Sequence, residues 1–292
     1  MKAILTLVLA LLLPFFSSIT QARNYEDIIK SGYLVIAVYR DFPPYSSLEN
    51  DQPVGIDIDL GNKLAKSLGV EPRWFWVTPD ESLEDDLRNA VWKGHVLDAK
   101  KKKADIMLRV PYDREFNYGL DGYGLPRNEL VHMFGPYHQE SWAIARDTQK
   151  TRDVRNLAIF QYEKVGVEID SMPDNYLSGF LGGRLQKNVV HFVSLKDAAE
   201  AFKKGELAAV TGMRSRLQWA MSGLPDPDIT GEGFEMLSRR QWDIGVAVKQ
   251  DYRELANEVE YLIDTWVKDG SMAEIFSQHG VSFEKPSLYT EQ

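Results

Sequence analysis

Hydrophobic positions between residues 54 and 69 change their period in the middle of the segment. From Val54 to Ile58 apolar residues alternate with polar ones, as in an extended strand, whereas from Leu60 to Leu68 they recur every fourth position, as on one face of a helix. Asp57 and Asp59 lie at the changeover. Acids stabilise the first turn of a helix by about 0.3–1 kcal/mol. The pattern therefore favours a helix with Asp57 as N-cap over a catalytic acid pair or a metal site.

The same kind of helix start recurs along the chain. Thr78-Pro79-Asp80-Glu81 combines a capping residue, a proline at the first helical position and a capping-box acid. Ser194 predicts a helix that Gly205 closes, and Ser271 predicts another after Gly270. Short apolar runs, predicted as strands, lie between the helices: 34–38, 105–110, 165–169, 207–211 and 244–248. This alternation predicts an α/β protein with largely parallel sheets.

The first residues predict export. Lys2 precedes an apolar stretch from Ala3 to Leu13, and small and polar residues then lead to Thr20-Gln21-Ala22. These are the parts of a secretory signal peptide with cleavage after Ala22. An uncleaved membrane anchor is the alternative, but the stretch is shorter than the roughly 20 apolar residues of a spanning helix. We expect a periplasmic protein that is not embedded in the membrane.

Composition narrows the classes of partner. The chain has no cysteine, which excludes disulfides, thiolate metal sites and a lipid-modified N-terminal cysteine. Its formal net charge of −9 argues against nucleic acid and anionic lipid. The one basic run, Lys100 to Lys103, is interpreted as a solvated end between two elements. With 292 residues the chain is long enough for its core to split, so we expect two lobes.

Two pairs of motifs near the ends of the chain are specific. They are "LVIAVYRDFPPY" followed by "GIDIDLGNKLAKSL" near the N-terminus, and the segment from "DIGVAVKQDYREL" to "IFSQHG" near the C-terminus. The motifs between them are "ADIMLRVPYDREF", "FGPYHQESWAIARD", "EKVGVEIDSMPDNY" and "AAEAFKKGELAAVTG". In this order, the motifs resemble the periplasmic solute-binding proteins of family 3, the polar amino acid group of ABC transport receptors.

This resemblance implies the two-lobe fold of type II periplasmic binding proteins. Each lobe would be a mostly parallel sheet flanked by helices, and two crossing strands, near 141–146 and 241–248, would join the lobes. The expected boundaries are 1–22 for the signal peptide, 23–142 with 243–292 for the first lobe, and 143–242 for the second. The last helices, with Leu255, Val259, Leu262 and Trp266 on one face, would pack on the first lobe. A ligand would lie between the lobes.

The resemblance also implies site residues in the first lobe. Phe42 corresponds to the aromatic residue that covers the ligand, with Tyr39 and Tyr45 beside it, although a core position after Pro43-Pro44 is an equal alternative for Tyr45. Arg109 and Arg114 lie near the place of an arginine that binds the ligand carboxylate. Because the family's T-x-T-x-x-R pattern is absent, we favour Arg114 narrowly, and a surface ion pair is the alternative for both.

In the second lobe the chain departs from amino acid receptors. The segment "LAAVTGMRSR" includes the candidate Thr211, but no acid follows it before Asp226, so the ammonium group of an amino acid would lack its partner. We therefore predict that no standard α-amino acid binds tightly. Ser171 begins a segment whose N–H groups could bind an anion, although a simple N-cap is the alternative.

A narrower resemblance accounts for these departures. The segment "ADIMLRVPYDREF", with its V-P and Y-D pairs, is similar to the J-type periplasmic accessory proteins of quinone-dependent methanol and alcohol dehydrogenases. These share the fold but are thought to serve the dehydrogenase rather than a permease. The insertion at 92–103, within "VWKGHVLDAKKKK", matches neither pattern.

Enzyme motifs are absent from the sequence. There is no G-x-S-x-G, H-E-x-x-H or P-loop, and His132 and His138 are not spaced as metal ligands on a helix. We therefore expect a monomeric binding protein without metal or cofactor that captures a small polar solute for an ABC permease. The alternative is an accessory role toward a periplasmic quinoprotein dehydrogenase.

Overall fold

The computed structural model describes residues 23–152, 156–224, 227–234 and 236–290, so the predicted signal peptide lies outside the described residues. The strands are β1 Tyr33–Tyr39, β2 Ser47–Glu49, β3 Gln52–Val54, β4 Glu71–Val77, β5 Ile106–Pro111, β6 Val131–Arg146, β7 Val165–Glu168, β8 Val189–Phe192, β9 Ala209–Met213, β10 Asp228–Thr230 and β11 Gln241–Lys249. The α-helices are α1 Tyr25–Ser31, α2 Ile56–Ser67, α3 Leu83–Leu87, α4 Arg114–Asn117, α5 Thr148–Thr151, α6 Met172–Gly183, α7 Leu195–Lys203, α8 Arg214–Ala220, α9 Arg253–Asp269 and α10 Ser271–Gln278. No helix in the described ranges has the length and apolar character that a bilayer crossing requires.

Nine of the strands form one sheet in the order β4-β1-β5-β11-β6-β9-β7-β8, with β10 on β6. Its two ends are parallel, since β1 pairs in parallel with β4 and β5, and β7 pairs in parallel with β8 and β9. The middle is antiparallel, where β11 lies between β5 and β6. Helices connect the parallel strands, which confirms the predicted α/β class.

Strands β6 and β11 join the two ends of the sheet. The first part of β6, up to Ser141, pairs with β11, and its last part, from Trp142 to Arg146, pairs with β9. Four apolar clusters lie on either side of this crossing. Two draw their buried residues from 28–137 and 244–281, and two draw theirs from 143–234. This division supports our proposal of two lobes, residues 23–142 with 243–292 and residues 143–242.

Helix α9 packs on the first of these cores, as its pattern predicted. Leu255, Val259 and Trp266 are buried there, and Leu262 lies partly buried against the same cluster. Gly270, with a φ of 91°, separates α9 from α10. A positive φ is accessible to glycine at little cost, so the chain can turn directly from one helix into the next.

The start of α2 differs in detail from the prediction. The N-cap is Gly55, and Asp57 lies inside the first turn, where it is buried with 1% of its surface exposed. The backbone N–H of Ile56 donates to the carbonyl of Pro44, and that of Asp57 donates to the carbonyl of Tyr45, both at 2.9 Å. The carbonyls of an adjacent loop therefore satisfy N–H groups that a capping side chain would otherwise bind.

The predicted helix start at Thr78-Pro79 is wrong. Helix α3 begins four residues later, after Ser82, whose side chain accepts from the N–H of Asp85. Leu83 and Leu87 do lie on the helix, and residues 88–92 continue it as a π-helical turn. At α7 the prediction is confirmed, since Ser194 caps the helix by accepting from the N–H of Asp197.

Candidate functional site

Phe42 lies in a short loop after β1, between the two halves of the molecule. The loop is held by a bridge between Phe42 and Ser46, and the Ser46 hydroxyl donates to the carbonyl of Tyr39 at 2.6 Å. The loop also docks on the N-terminus of α2, where a Cβ on Gly55 would lie 2.3 Å from the carbonyl oxygen of Tyr45. These contacts hold the loop that carries Phe42, whose side chain is only partly buried.

The two tyrosines predicted beside Phe42 are buried. Tyr45 is fully buried, and its hydroxyl donates to Glu140 at 2.9 Å. Tyr39 is 9% exposed, and its hydroxyl donates to Asp86 at 2.8 Å. Both hydroxyls are thus engaged by protein carboxylates, and the centre of each ring lies 6.3 Å from that of Phe42. A ligand contact for either tyrosine stays a prediction.

Arg109 faces Phe42 because of an irregularity in β5. The pairing with β11 passes from Leu108 to Val110, so Arg109 is the extra residue of a β-bulge. Its φ is +64°, in the left-handed region where a non-glycine residue is strained. A bulge redirects a side chain out of the regular alternation of a strand. Here it places the guanidinium 4.1 Å from the centre of the Phe42 ring and 4.3 Å from that of Tyr45.

The guanidinium of Arg109 reaches across to the second half of the molecule. Its Nη2 donates to the sulfur of Met213, at the end of β9, at 3.1 Å. Its Nε is buried without a hydrogen-bond partner, and Arg109 has no ion-pair partner among the described residues. A buried N–H without a partner costs about 1–3 kcal/mol, so this atom is suited to an acceptor supplied from outside the chain.

Arg216, from the second half of the molecule, lies beside the same ring. It lies on α8, and its guanidinium carbon is 4.4 Å from the centre of the Phe42 ring. It forms an ion pair with Glu168, at the end of β7, with N–O distances of 2.6 and 3.4 Å. Its Nε is also buried without a partner. Two arginines from opposite halves of the molecule therefore meet at one aromatic ring, each with a donor left over.

Sequence reasoning did not identify Arg216, Glu168 or Met213. The signal was present in "TGMRSR", because two arginines follow β9 where amino acid receptors would have an acid. Arg114, which we favoured over Arg109, lies exposed at the start of α4, away from Phe42. On this placement we propose Arg109 rather than Arg114 as the arginine of the site, and a ligand contact for either residue stays a prediction.

The other two candidates in the second half do not face the ring. Ser171 caps α6 by accepting from the N–H of Asp174 at 3.3 Å, which is the simpler of its two interpretations. Thr211 is 1% exposed, and its hydroxyl lies 3.5 Å from the carbonyl oxygen of Gly166 within the sheet. A role in ligand binding for either residue stays a prediction.

A buried polar network lies behind the arginines. Glu140, on β6, accepts from the hydroxyls of Tyr45 and Ser215 and from the N–H of Ser141. Because Tyr45 and Ser215 belong to opposite halves of the molecule, this carboxylate connects them. Asp57 accepts from the Tyr137 hydroxyl at 2.9 Å, and its other oxygen has no partner. Burial raises the pKa of Asp57 to about 7, and the nearby charge of Arg109 opposes the shift.

The two histidines considered as metal ligands, His132 and His138, both contact other side chains of the protein. His138 is 2% exposed and stacks on Phe276 at 4.2 Å, and its burial lowers its pKa to about 3. His132 lies beside Arg253, with 2.8 Å between its Nδ1 and the guanidinium. The ranges that the structure describes contain no cluster of three His, Cys, Asp or Glu side chains placed to bind a metal ion.

Part of the chain matches a known protein family. Residues 34–113 match the family described as bacterial extracellular solute-binding proteins, family 3. No curated protein sequence matches the chain.

Solved structures share the whole fold. An ancestral cationic amino acid solute-binding protein, AncCDT-1, matches with a TM-score of 0.67 at 19% identity, over 88% of this chain and 99% of that one. The arginine-bound AbpA, an amino acid ABC transporter substrate-binding protein from Streptococcus pneumoniae, matches at 0.57 and 22%, over 89% and 100%. A mutant of the T. maritima protein ArgBP matches at 0.54 and 22%, over 87% and 97%. The resemblance to solute-binding family 3 is thus confirmed over residues 34–113, and the chain as a whole has the type II periplasmic binding protein fold.

Proposed function

We propose that this chain is a two-lobe binding protein that holds a small anionic solute between Arg109 and Arg216. The observation that carries the proposal is the pair of buried, unpartnered Nε–H groups, one from each lobe, beside Phe42. A carboxylate accepts two parallel hydrogen bonds from a guanidinium, and such charge-assisted bonds are stronger than neutral ones. A carboxylate that contacts both arginines favours the closed arrangement, because only that arrangement brings both within its reach.

The charges around Phe42 favour a monoanion. Arg216 is already paired with Glu168, whereas Arg109 has no ion pair among the described residues, so one positive charge remains for a ligand. The described part of the segment that follows β9, residues 214–224, contains no acid for an ammonium group. L-Arginine, the ligand named for similar structures, would bring cationic groups beside two arginines. We therefore expect neither L-arginine nor another standard amino acid to bind tightly.

The same proposal includes the protein to which the solute is delivered. We expect a monomeric periplasmic protein that delivers its solute to an ABC permease, because the matched family and the similar structures include transporter substrate-binding proteins. Binding is reversible in this scheme, and no cofactor takes part.

Titration calorimetry with a panel of small carboxylates and the standard amino acids tests the proposal. Arg109→Gly and Arg216→Gln should each weaken carboxylate binding tenfold or more, since a charge-assisted hydrogen bond contributes about 1.5–3 kcal/mol. Arg109→Gly should also fold well, because glycine relieves the positive φ at the bulge. Arg114→Ala is the matched control, because it removes an exposed arginine away from the ring. Equal affinities in all three variants would refute the site, and tight binding of an amino acid would refute the solute class.

An accessory role toward a periplasmic quinoprotein dehydrogenase is the second candidate. The observation that favours it is the ordered insertion at 92–103, in which Val96 and Leu97 are 74% and 86% exposed beside the lysine run. Asp98 fixes the turn by accepting from the N–H groups of Lys100 and Lys102. Exposed apolar side chains on an ordered loop suit a protein partner. Co-purification of a dehydrogenase with the wild type, lost in a Val96→Ser, Leu97→Ser variant that still binds carboxylate, would favour this role over delivery to a permease.

A further inference from the structure

An open pocket lies along the crossing strands, at the end of β5 that follows Arg109. Its volume is about 470 Å³, within the range of small-molecule sites. The apolar part of its wall consists of Pro111, Trp142, Met172 and Trp242, and its rim carries Glu115 and Arg239. These residues come from both proposed lobes and from both crossing strands, so the pocket lies between the same two halves of the molecule as Phe42.

The pocket adjoins the place proposed for the carboxylate. Pro111 follows Arg109 by two residues on β5, just beyond the bulge. On the other side, Trp142 pairs with Met213, whose sulfur contacts the Arg109 guanidinium. Two residues of the pocket wall, Pro111 and Trp142, are therefore linked directly to Arg109 or to its contact Met213.

The pocket wall has the chemistry of an aromatic-binding surface. The rings of Trp142 and Trp242 lie 5.0 Å apart at an angle of 50°, and both side chains are only partly buried. Tryptophan rings bind other aromatic rings through stacked and tilted contacts that contribute about 0.5–1.5 kcal/mol beyond the area buried. Met172, 49% exposed at the start of α6, adds a polarisable thioether to the same wall.

The charges on the rim are already paired. Nη2 of Arg239 donates to Asp113 at 3.0 Å and to Glu115 at 3.4 Å, which links the loop before β11 to the start of α4. This guanidinium is therefore already ion-paired with two carboxylates of the protein, so it does not require an anionic group from the solute. The end of the solute that lies in the pocket is then an uncharged group.

We propose that the solute is an aromatic carboxylate, with its acid group at Arg109 and Arg216 and its ring between Trp142, Trp242 and Met172. This inference rests on the proposed anion-binding function and adds the chemical class of the solute. Benzoate, phenylacetate and 3-phenylpropionate have the composition that the cleft fits: one negative charge, one ring and a short linker. Acetate, propionate and succinate lack the ring.

Calorimetry with these six acids, and with cyclohexylacetate as the non-aromatic match of phenylacetate, tests the inference. We expect the best aromatic acid to bind at least tenfold more tightly than the three acids without a ring, and more tightly than its saturated match. Its binding should also quench tryptophan fluorescence. Trp242→Leu and Met172→Ser should weaken the aromatic acid more than they weaken propionate, whereas Met236→Ser, at a methionine that is 80% exposed outside the pocket, should have no effect.

The outcomes separate this inference from the function on which it rests. Carboxylates that bind through Arg109 and Arg216 with no preference for a ring, or with equal affinity for cyclohexylacetate, overturn the aromatic assignment and leave the anion site intact. Aromatic acids whose affinity depends on Trp242 but not on either arginine overturn the anion site. Circular dichroism shows whether each variant is folded. If Trp242→Leu folds poorly, Met172→Ser still tests the pocket, because Met172 is at an exposed position where the change should not disturb folding.

Discussion

Replacing Tyr45 with phenylalanine tests how the cleft is supported. Tyr45 is fully buried, and its hydroxyl donates to the carboxylate of Glu140 at 2.9 Å. The substitution keeps the ring, so no cavity of side-chain size opens, and it removes one donor from a buried acid. Hydrogen bonds to charged groups contribute about 1.5–3 kcal/mol. Because Ser215 and the N–H of Ser141 still donate to Glu140, we expect a loss near the lower end of that range.

Urea denaturation followed by circular dichroism at pH 7 measures this loss. The matched control is Tyr162→Phe, since Tyr162 is 81% exposed and the change should alter the free energy of unfolding by less than about 0.5 kcal/mol. Carboxylate affinity should be unchanged in Tyr45→Phe, because the hydroxyl faces Glu140 rather than the cleft. If Tyr45→Phe unfolds at the same urea concentration as the control, the Glu140 network does not contribute as described. If it loses solute affinity while keeping its stability, Tyr45 contacts the ligand.

Three further outcomes follow from other parts of the chain. Folding raises the pKa of Asp57 from 3.8 to about 7, so the wild type should lose stability as the pH rises from about 4 to 7. Asp57→Asn should not show this loss and should therefore gain stability relative to the wild type over the same window. A difference in urea denaturation that does not change with pH would contradict this. Gly55→Ala should lower the free energy of unfolding by about 1–3 kcal/mol or more, because the new Cβ would meet the Tyr45 carbonyl oxygen and the backbone φ is +129°. Gly179→Ala is the control and should not destabilise the protein, because its Cβ would meet open space. N-terminal sequencing of the periplasmic protein should begin at Arg23, and retention of residues 1–22 would refute the predicted cleavage.

The regular elements could be predicted because each depends on a local pattern. A short apolar run located β1, helical apolar spacing located α2 and α9, and Ser194 located the start of α7. The alternation from Val54 to Ile58 was misleading, since α2 already begins at Ile56. The error at Asp57 has a tertiary cause, whereas the error at Thr78 arises from a second capping residue four positions later. The loop carbonyls of Pro44 and Tyr45 satisfy the first N–H groups of α2, so Gly55 can occupy the cap, and Ser82 caps α3 in place of Thr78.

The site residues were harder to predict because they depend on pairing between distant segments. Arg109 faces the cleft only because the register between β5 and β11 skips it, and a positive φ at an arginine has no sequence signal. Arg216 was visible as a charge but not as a partner of Phe42, since the two are 174 positions apart and meet only in the folded chain. Trp142 and Trp242 likewise meet only because two crossing strands pair.

The central claim is that a carboxylate binds between the two lobes at Arg109 and Arg216, and a crystal structure with the tightest-binding carboxylate of the calorimetric panel tests it most directly. The account predicts carboxylate oxygens within about 2.7–3.2 Å of the Nε atoms of both arginines, with the lobes in contact around the ligand. A bound carboxylate elsewhere on the chain, or a cleft that holds none at a saturating concentration, would contradict it.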